Sequence, residues 1–281
     1  MLDVTLRDKR RVVILGKEGP AKVISLMYHD VVDHHGGKLS GFTGRHSAIY
    51  KLSQNDFALH LNAIRRKTSE RSEGRGGTAD GKSVLLTFDD GGASSYDPIA
   101  SMLEQHGWRG YFLITTDWIG RPGFLTAGQI RELDIRGHVI GSHSCSHPRR
   151  MSHISAERLL AEWSASTERL AQIVDHPVTA ASVPGGYYSR RVAEAAAEAG
   201  IETLFTSEPT TKVHVLNGCR VLGRYTVRQT TAPECAGAFA AGQWGPRLRQ
   251  AVLWKAKKVA KVMAGSTYLW VQGRVFSTNQ D

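Results

Sequence analysis

The chain has 281 residues, 41% hydrophobic and 22% charged, an ordinary globular composition with enough length for one large domain or two small ones. No apolar run approaches the roughly 20 residues that cross a bilayer. A formal charge of +10 suggests an acidic ligand, an anionic membrane or nucleic acid, but zinc-finger spacing, RNA-binding aromatics and a continuous basic arm are all missing, so nucleic acid is not an expected partner.

The opening residues, MLDVTLRDKRRVVILGKEGP, hold only a short apolar stretch between charges and no small-residue cleavage site, so the expected location is cytoplasmic. KVISLMYH (22–29) reads as a buried strand ending on His29. SQNDFALHLNAIRR (53–66) has a Ser53 cap and apolar residues at helical spacing, and KTSERSEGRGGTADGK (67–82) reads as a polar, Gly-rich loop. Four strand–helix pairs follow: SVLLTF (83–88) with 95–107, RGYFLITT (109–116) with 126–137, HVIGSHS (138–144) with 155–174, and TAASVP (179–184) with 189–200. ETLFTS (202–207) is a further strand. Strands and helices thus alternate with short connections, the pattern of βαβ units in a parallel barrel or doubly wound sheet. In either fold the functional residues lie at the C-terminal strand ends.

Those ends carry His29, then Asp89 and Asp90, then Thr115 to Asp117, then His143 and His147, then Pro184 to Gly186. Adjacent carboxylates at the end of a core strand repel one another unless something compensates them. GSHSCSH (141–147) places two imidazoles four residues apart, so that a helical turn or tight loop brings both to one face. With a carboxylate from another strand they form a two-His, one-carboxylate set that leaves coordination open for water and substrate. The second aspartate is then free to take the proton of an attacking water. Three cysteines, Cys145, Cys219 and Cys235, are an odd number and argue against a disulfide framework; Cys145, between the two histidines, reads as core filler rather than a ligand.

TFDDG (87–91), SHSCSH (142–147) and VPGG (183–186), in this order on alternating strands and helices, resemble the polysaccharide deacetylases of carbohydrate esterase family 4 (the NodB-homology domain) over roughly residues 22–210. The resemblance implies a distorted (β/α) barrel in an α/β chain and hydrolysis of N-acetyl groups on an amino sugar. It implies Asp89 as general base, and Asp90, His143 and His147 as ligands of one divalent ion, zinc first, with cobalt, nickel or manganese as alternatives. The amide of Gly185, after Pro184, would serve an oxyanion hole. Residues 1–231 would form the catalytic barrel and 232–281 a basic C-terminal helical extension packed on it.

Three positions depart from the family. Its third motif usually opens with an arginine that orients the catalytic aspartate, where this chain has Ser182; Gly185 replaces an aromatic residue. The region RVLGRYTV (220–227) lacks the histidine that protonates the leaving amine. Family members acting on β-1,6-linked poly-N-acetylglucosamine resemble this chain in carrying a tyrosine–histidine pair near the N-terminus. His29 is accordingly preferred as general acid over His214, with a plain hydrogen bond to the loop beneath as its alternative role. Trp118, Asp117, Tyr187 and Tyr188 are candidates for contact with sugar, set against ordinary packing.

Residues 246–265, PRLRQAVLWKAKKVAKVMAG, form a basic amphipathic pattern. Leu248, Val252, Ala256, Val259 and Met263 share one face, and Lys255, Lys258 and Lys261 lie opposite. Either the helix docks on the barrel with its lysines solvated, or residues 246–263 meet an anionic membrane. The expected function is a metal-dependent deacetylase of N-acetylated sugars in a polysaccharide, an oligosaccharide or a lipid-linked form. The alternatives are a silent carbohydrate-binding barrel and a deformylase or other amidase on a lipid-linked sugar.

Overall fold

A computed structural model of the chain describes residues 22–32, 41, 45–73 and 84–256. Its centre is a curled sheet built from β1 (Ile24–Tyr28), β4 (Val84–Phe88), β5 (Tyr111–Ile114), β6 (Val139–Ser142), β7 (Ala180–Ser182), β8 (Thr203–Phe205), β9 (Val213–Leu216), β10 (Cys219–Leu222) and β11 (Tyr225–Thr226). The order is β11-β1-β4-β5-β6-β7-β8-β10-β9, and only the β10–β9 pairing is antiparallel. A small parallel pair, β2 (Asp30–Val32) and β3 (Lys51–Ser53), stands apart from it. The helices are α1 (Arg45–Ala48), α2 (Gln54–Glu73), α3 (Ser101–Gln105), α4 (Ala127–Ile135), α5 (Ala156–Val174), α6 (Arg190–Glu198) and α7 (Pro233–Ala240), followed by α8 (residues 244–256). This is the distorted (β/α) barrel that the sequence implies.

Alternation along the strands separates two cores. Leu26, Tyr28, Leu86, Phe88, Phe112 and Ile114 face outward into the largest apolar cluster, where Phe57 and Leu61 of α2 and Phe239 of α7 meet them. Tyr28, Phe88 and Phe112 stack across β1, β4 and β5 with ring centroids 5.6 and 5.2 Å apart. Such pairs contribute about 0.5–1.5 kcal/mol each beyond area burial. The opposite faces put Leu85, Tyr111, Leu113, Ala180, Phe205 and Leu222 together inside the barrel. On β4 this period stacks Asp89 above Thr87 and Leu85, on the inner face. The first and last sheet strands are neighbours, since β11 pairs with β1, and the seam between the sheet's two margins is drawn in by the Val23 amide on Thr211 O at 2.9 Å.

The sequence-read elements hold with four differences. Helix α2 continues through 67–73, read as loop, because no glycine or proline intervenes before Gly74 and Thr68 Oγ1 donates back to Ile64 O at 2.8 Å. The rest of that loop, 74–82, lies outside the described residues. The helix expected over 95–107 is broken: Asp97 is extended at φ −147° and ψ 126°, as a residue before proline prefers, and regular α-helix runs only over Ser101–Gln105. Residues 233–240, assigned to the extension, contribute Ala236, Phe239 and Ala240 to the main core. The strand expected over 179–184 is only three residues long.

At the N-terminal end of the sheet, opposite the strand ends that carry the motifs, His138 Nδ1 accepts the Gly110 amide at 3.1 Å and its Nε2 donates to Glu104 Oε1 at 3.0 Å. Both nitrogens are thereby committed to the neutral ring, and burial, only partly offset by Glu104, lowers the His138 pKa from 6.5 to about 4. The unfolded chain binds this proton first as pH falls, so the stability contribution is complete above about 6.5 and is lost on the way down to about 4. Glu104, whose pKa is lowered chiefly by its hydrogen bond to Arg136, acts in the same direction. Urea unfolding of His138→Gln should show a weaker fall in stability over that pH interval than the parent; an unchanged slope would remove His138 as its source.

Candidate active site

Asp89 and Asp90 follow β4 directly and take different partners. Asp89 is buried, and Arg224, itself 0% exposed, grips it with both arms: Nη1 to Oδ1 at 2.6 Å and Nη2 to Oδ2 at 2.8 Å. The same guanidinium donates to Thr87 Oγ1 and to Thr206 O and lies 5.7 Å from the Phe205 ring centroid. Burial raises the Asp89 pKa, but the Arg224 charge, His143, the Arg224 hydrogen bonds and His29 outweigh it, and the carboxyl is held well below the usual range. Arg224 thus supplies from the β10–β11 turn the support that the sequence finds missing at Ser182. Its signal in the sequence was the second of two arginines in the largely apolar run RVLGRYTV.

Ser182 is nonetheless part of the arrangement. Its Oγ donates to Asp89 Oδ1 at 3.1 Å and lies 2.5 Å from His143 Nδ1, which also faces Ser182 O at 3.1 Å. A hydroxyl has one proton, so with that proton on Asp89 the serine accepts from His143 Nδ1–H. The neutral imidazole then presents its Nε2 lone pair to the other side. That side holds Asp90 Oδ1, 3.3 Å from His143 Nε2 and 3.6 Å from His147 Nε2.

Three acceptors converging within 4.8 Å of one another repel unless a cation lies among them. A proton on His143 is one such cation, and a divalent ion is the other. The charges reflect this: His143 is raised, since Asp89 and Asp90 outweigh the lowering by burial; Asp90 is lowered, since the His143 hydrogen bond and the His29, His143 and His147 charges outweigh its burial. His147 is lowered, by burial and then by His143. Ligand atoms each about 2.0–2.2 Å from a tetrahedral zinc stand about 3.3–3.6 Å apart, so this donor set fits the ion that the family implies.

The backbone carries strain to achieve it. Asp90 and His147 have φ of 80° and 56°, and Ser144 between the histidines has 64°. The pair therefore meets in a tight loop rather than on a helical turn. Three serines fix that loop: Ser142 Oγ accepts the Ser144 amide, Ser144 Oγ accepts the His147 amide, and Ser146 Oγ donates to Glu162 Oε1 at 2.6 Å. Glu162 also takes the amides of Cys145 and Ser146 on Oε2 at 3.1 and 2.8 Å. It escaped the sequence reading, although its place beside Leu159, Trp163 and Ser166 on the buried face of α5 was a signal. After the aspartates, Gly91 has φ 84°, with Ile114 Cγ2 2.9 Å from where a Cβ would stand, and a Cβ on Gly92 would collide with the Asp30 carboxylate.

The remaining sequence candidates divide. His29 directly follows β1, stacks on Tyr50 with centroids 4.4 Å apart, and is electrostatically felt at both aspartates. Its Nδ1 is sealed from solvent without a hydrogen-bond partner among the described residues, so the plain structural bond weighed for it is not made through that atom. His214 lies on the outermost strand β9 and is exposed. Trp118 stacks on His147 at 5.2 Å and touches Phe124 at 5.1 Å. Cys145 is half-buried rather than core filler, its thiol 3.2 Å from Asp117 Oδ1. Pro184 is buried, Gly185 is exposed at φ 60°, and Tyr187 meets His153 edge-on. Tyr188 is exposed.

Removing one partner of a buried ion pair leaves the other charge uncompensated, so Arg224→Met should cost about 3–5 kcal/mol in urea unfolding. Asp89→Asn/Arg224→Met should recover most of that loss; equal destabilisation of the single and double variants would mean that packing, not charge, is at stake. Glu162→Ala should weaken zinc affinity ~10–100-fold in competition with a chromophoric chelator, whereas unchanged affinity would show that the serines alone fix the loop.

The family model described as polysaccharide deacetylase matches residues 76–204. The Bacillus subtilis protein YxkH is 26% identical over 199 residues, covering 68% of this chain and 67% of that protein. PdaA of Bacillus subtilis, named a peptidoglycan-N-acetylmuramic acid deacetylase, is 27% identical over 47% of this chain and 49% of its own length. Among solved structures, the Streptococcus pyogenes deacetylase PplD in complex with acetate superposes with a TM-score of 0.61 at 20% identity, covering 76% of this chain and 96% of that one. With the TFDDG and SHSCSH residues gathered at one end of this barrel, the chain matches the polysaccharide deacetylase family over residues 76–204.

Proposed function

We propose that this chain hydrolyses N-acetyl groups from amino sugars carried on a polysaccharide, an oligosaccharide or a lipid-linked saccharide. The observation that supports it above others is an ionised Asp89, fixed by Arg224, beside the converging Asp90, His143 and His147. These three would hold one divalent ion, zinc first, with cobalt, nickel or manganese as alternatives, which when bound supplies Lewis-acid polarisation of the acetyl carbonyl and acidifies water.

Asp89 accepts the proton of the attacking water. A carboxylate has about four acceptor sites; Arg224 and Ser182 occupy two on Oδ1 and Arg224 one on Oδ2, so one remains on Oδ2. As the water oxygen bonds to the carbonyl carbon, the Gly185 amide after Pro184 donates to the developing oxyanion. His29 gives a proton to the departing nitrogen as the C–N bond breaks, leaving acetate and a free amine. Trp118 and Tyr187 line the sugar site. The name of PdaA, a relative sharing half its length with this chain, supports a polymeric amino-sugar substrate. The silent-barrel alternative loses its main support, because the missing arginine is replaced.

Zinc-reconstituted protein should release acetate from N-acetylglucosamine oligomers or peptidoglycan, and no formate from their N-formyl counterparts. Asp89→Asn should lower kcat ~10²-fold or more with metal content unchanged. His29→Gln should lower kcat with metal content unchanged. Asp90→Ala and His147→Ala should fail to retain the ion. Metal uptake without acetate or formate release from any such substrate would leave a carbohydrate-binding barrel as the better account.

A further inference from the structure

Helix α8 is fastened to the barrel by polar side chains. Arg247 donates to Tyr225 Oη at 2.7 Å, to Gly242 O at 2.9 Å and to Thr211 Oγ1 at 3.2 Å, and its guanidinium lies over the Tyr225 ring. Gln250 brackets the backbone of Thr226, its Nε2 donating to the carbonyl at 2.9 Å and its Oε1 accepting the amide at 3.0 Å. Positions 246, 247, 250, 251 and 254 are half-buried, the helical spacing of an inward face.

The outward face is apolar. Trp244 is 73% exposed, Val252 56%, Leu253 53% and Leu248 41%, which makes four of the nine exposed large hydrophobic residues among the described ones, within ten positions. Single exposed apolar side chains are ordinary, but a cluster of this density marks a contact surface. A helix resting on a soluble barrel normally buries its apolar face; this one is inverted. At 100° per residue, Lys255 and Arg249, both exposed, border the arc of Leu248 and Val252 on its two sides. Lys255 therefore lies beside the apolar stripe rather than opposite it, as the sequence pattern suggested. The sequence adds Lys257, Lys258 and Lys261 directly afterwards.

We propose that this face docks on an anionic phospholipid bilayer, with Leu248, Val252 and Leu253 entering the interface and Arg249 and Lys255 meeting headgroup phosphates. An apolar stripe bordered by cations, with a tryptophan at its edge, has the chemistry of an interfacial helix. A second copy is the poorer occupant, because a two-fold contact would press this cationic border of a +10 chain against its own image. The proposal does not depend on the deacetylase reading, and its test involves no catalysis.

The full chain should be sedimented with vesicles of phosphatidylcholine alone and of phosphatidylcholine with about one-third phosphatidylglycerol, at two salt concentrations. Binding to the anionic vesicles should be at least ~10-fold tighter, and should weaken as salt rises. Leu248→Glu/Val252→Glu should bind them at least ~10-fold more weakly with the parent's circular dichroism, Tm and metal content. Arg249→Ala/Lys255→Ala should lose preference for the anionic lipid while keeping the parent's fold. The proposal is overturned if the parent ignores anionic vesicles or if the glutamate variant binds as the parent does. It is equally overturned by a lipid-free dimer of the parent that the glutamate variant dissolves.

Discussion

Asp89 is a buried carboxylate on the inner side of the barrel, just past the end of β4, and its neutralisation by Arg224 is the interaction from which the rest of the site follows. A buried charge without a partner costs several kcal/mol, and a bidentate guanidinium is among the few groups able to offset that in a dry interior. Because Arg224 also donates to Thr87 and Thr206 O, the pair ties β4 and β8 to the turn between β10 and β11. It settles how two neighbouring aspartates coexist. Asp89 is compensated from the barrel interior, and Asp90 is left to face the two histidines.

Ser182 couples those halves. Its single hydroxyl proton goes to Asp89, which fixes the His143 tautomer and so aims Nε2 at Asp90. Glu162 does the corresponding work beneath the loop that bears the histidines, accepting three hydrogen bonds from Cys145 and Ser146. Left-handed backbone at Ser144 and His147 is unfavourable locally and persists because these bonds over-determine it. The metal-capable geometry is therefore a property of a shell of serines and one glutamate as much as of Asp90, His143 and His147 themselves.

Strands β1 and β4 to β8, and the placement of Asp89, Asp90, His143 and His147 at one end of the barrel, were legible in the sequence because each depends on local periodicity or on a short motif; β2, β3 and β9 to β11 were not. Arg224 and Glu162 were not, because what defines them is a partner 135 and 16 or 17 residues away, and no local pattern encodes that distance. The same limit explains the helices. Thr68 and Pro98 act on their immediate backbone and moved element ends by several residues. α7 entered the core because β1 and α2 offer it apolar surface. In α8 the sequence placed Leu248, Val252 and Ala256 on one face, with Val259 and Met263 outside the described residues, but which face meets the barrel is decided by Arg247 and Gln250, whose partners lie on Tyr225 and Thr226.

The seam that Arg224 spans also imposes an order on assembly. During synthesis, Asp89 leaves the ribosome 135 residues ahead of its counter-ion. Until Arg224 arrives, the end of β4 must stay hydrated, since the strand cannot bury a lone carboxylate at acceptable cost. The part of the outer core that precedes Arg224, from β1, β4, β5 and α2, has no such constraint and is free to form first, with α7 joining it later. The barrel interior accordingly dries last, once the C-terminal strands have closed the circle.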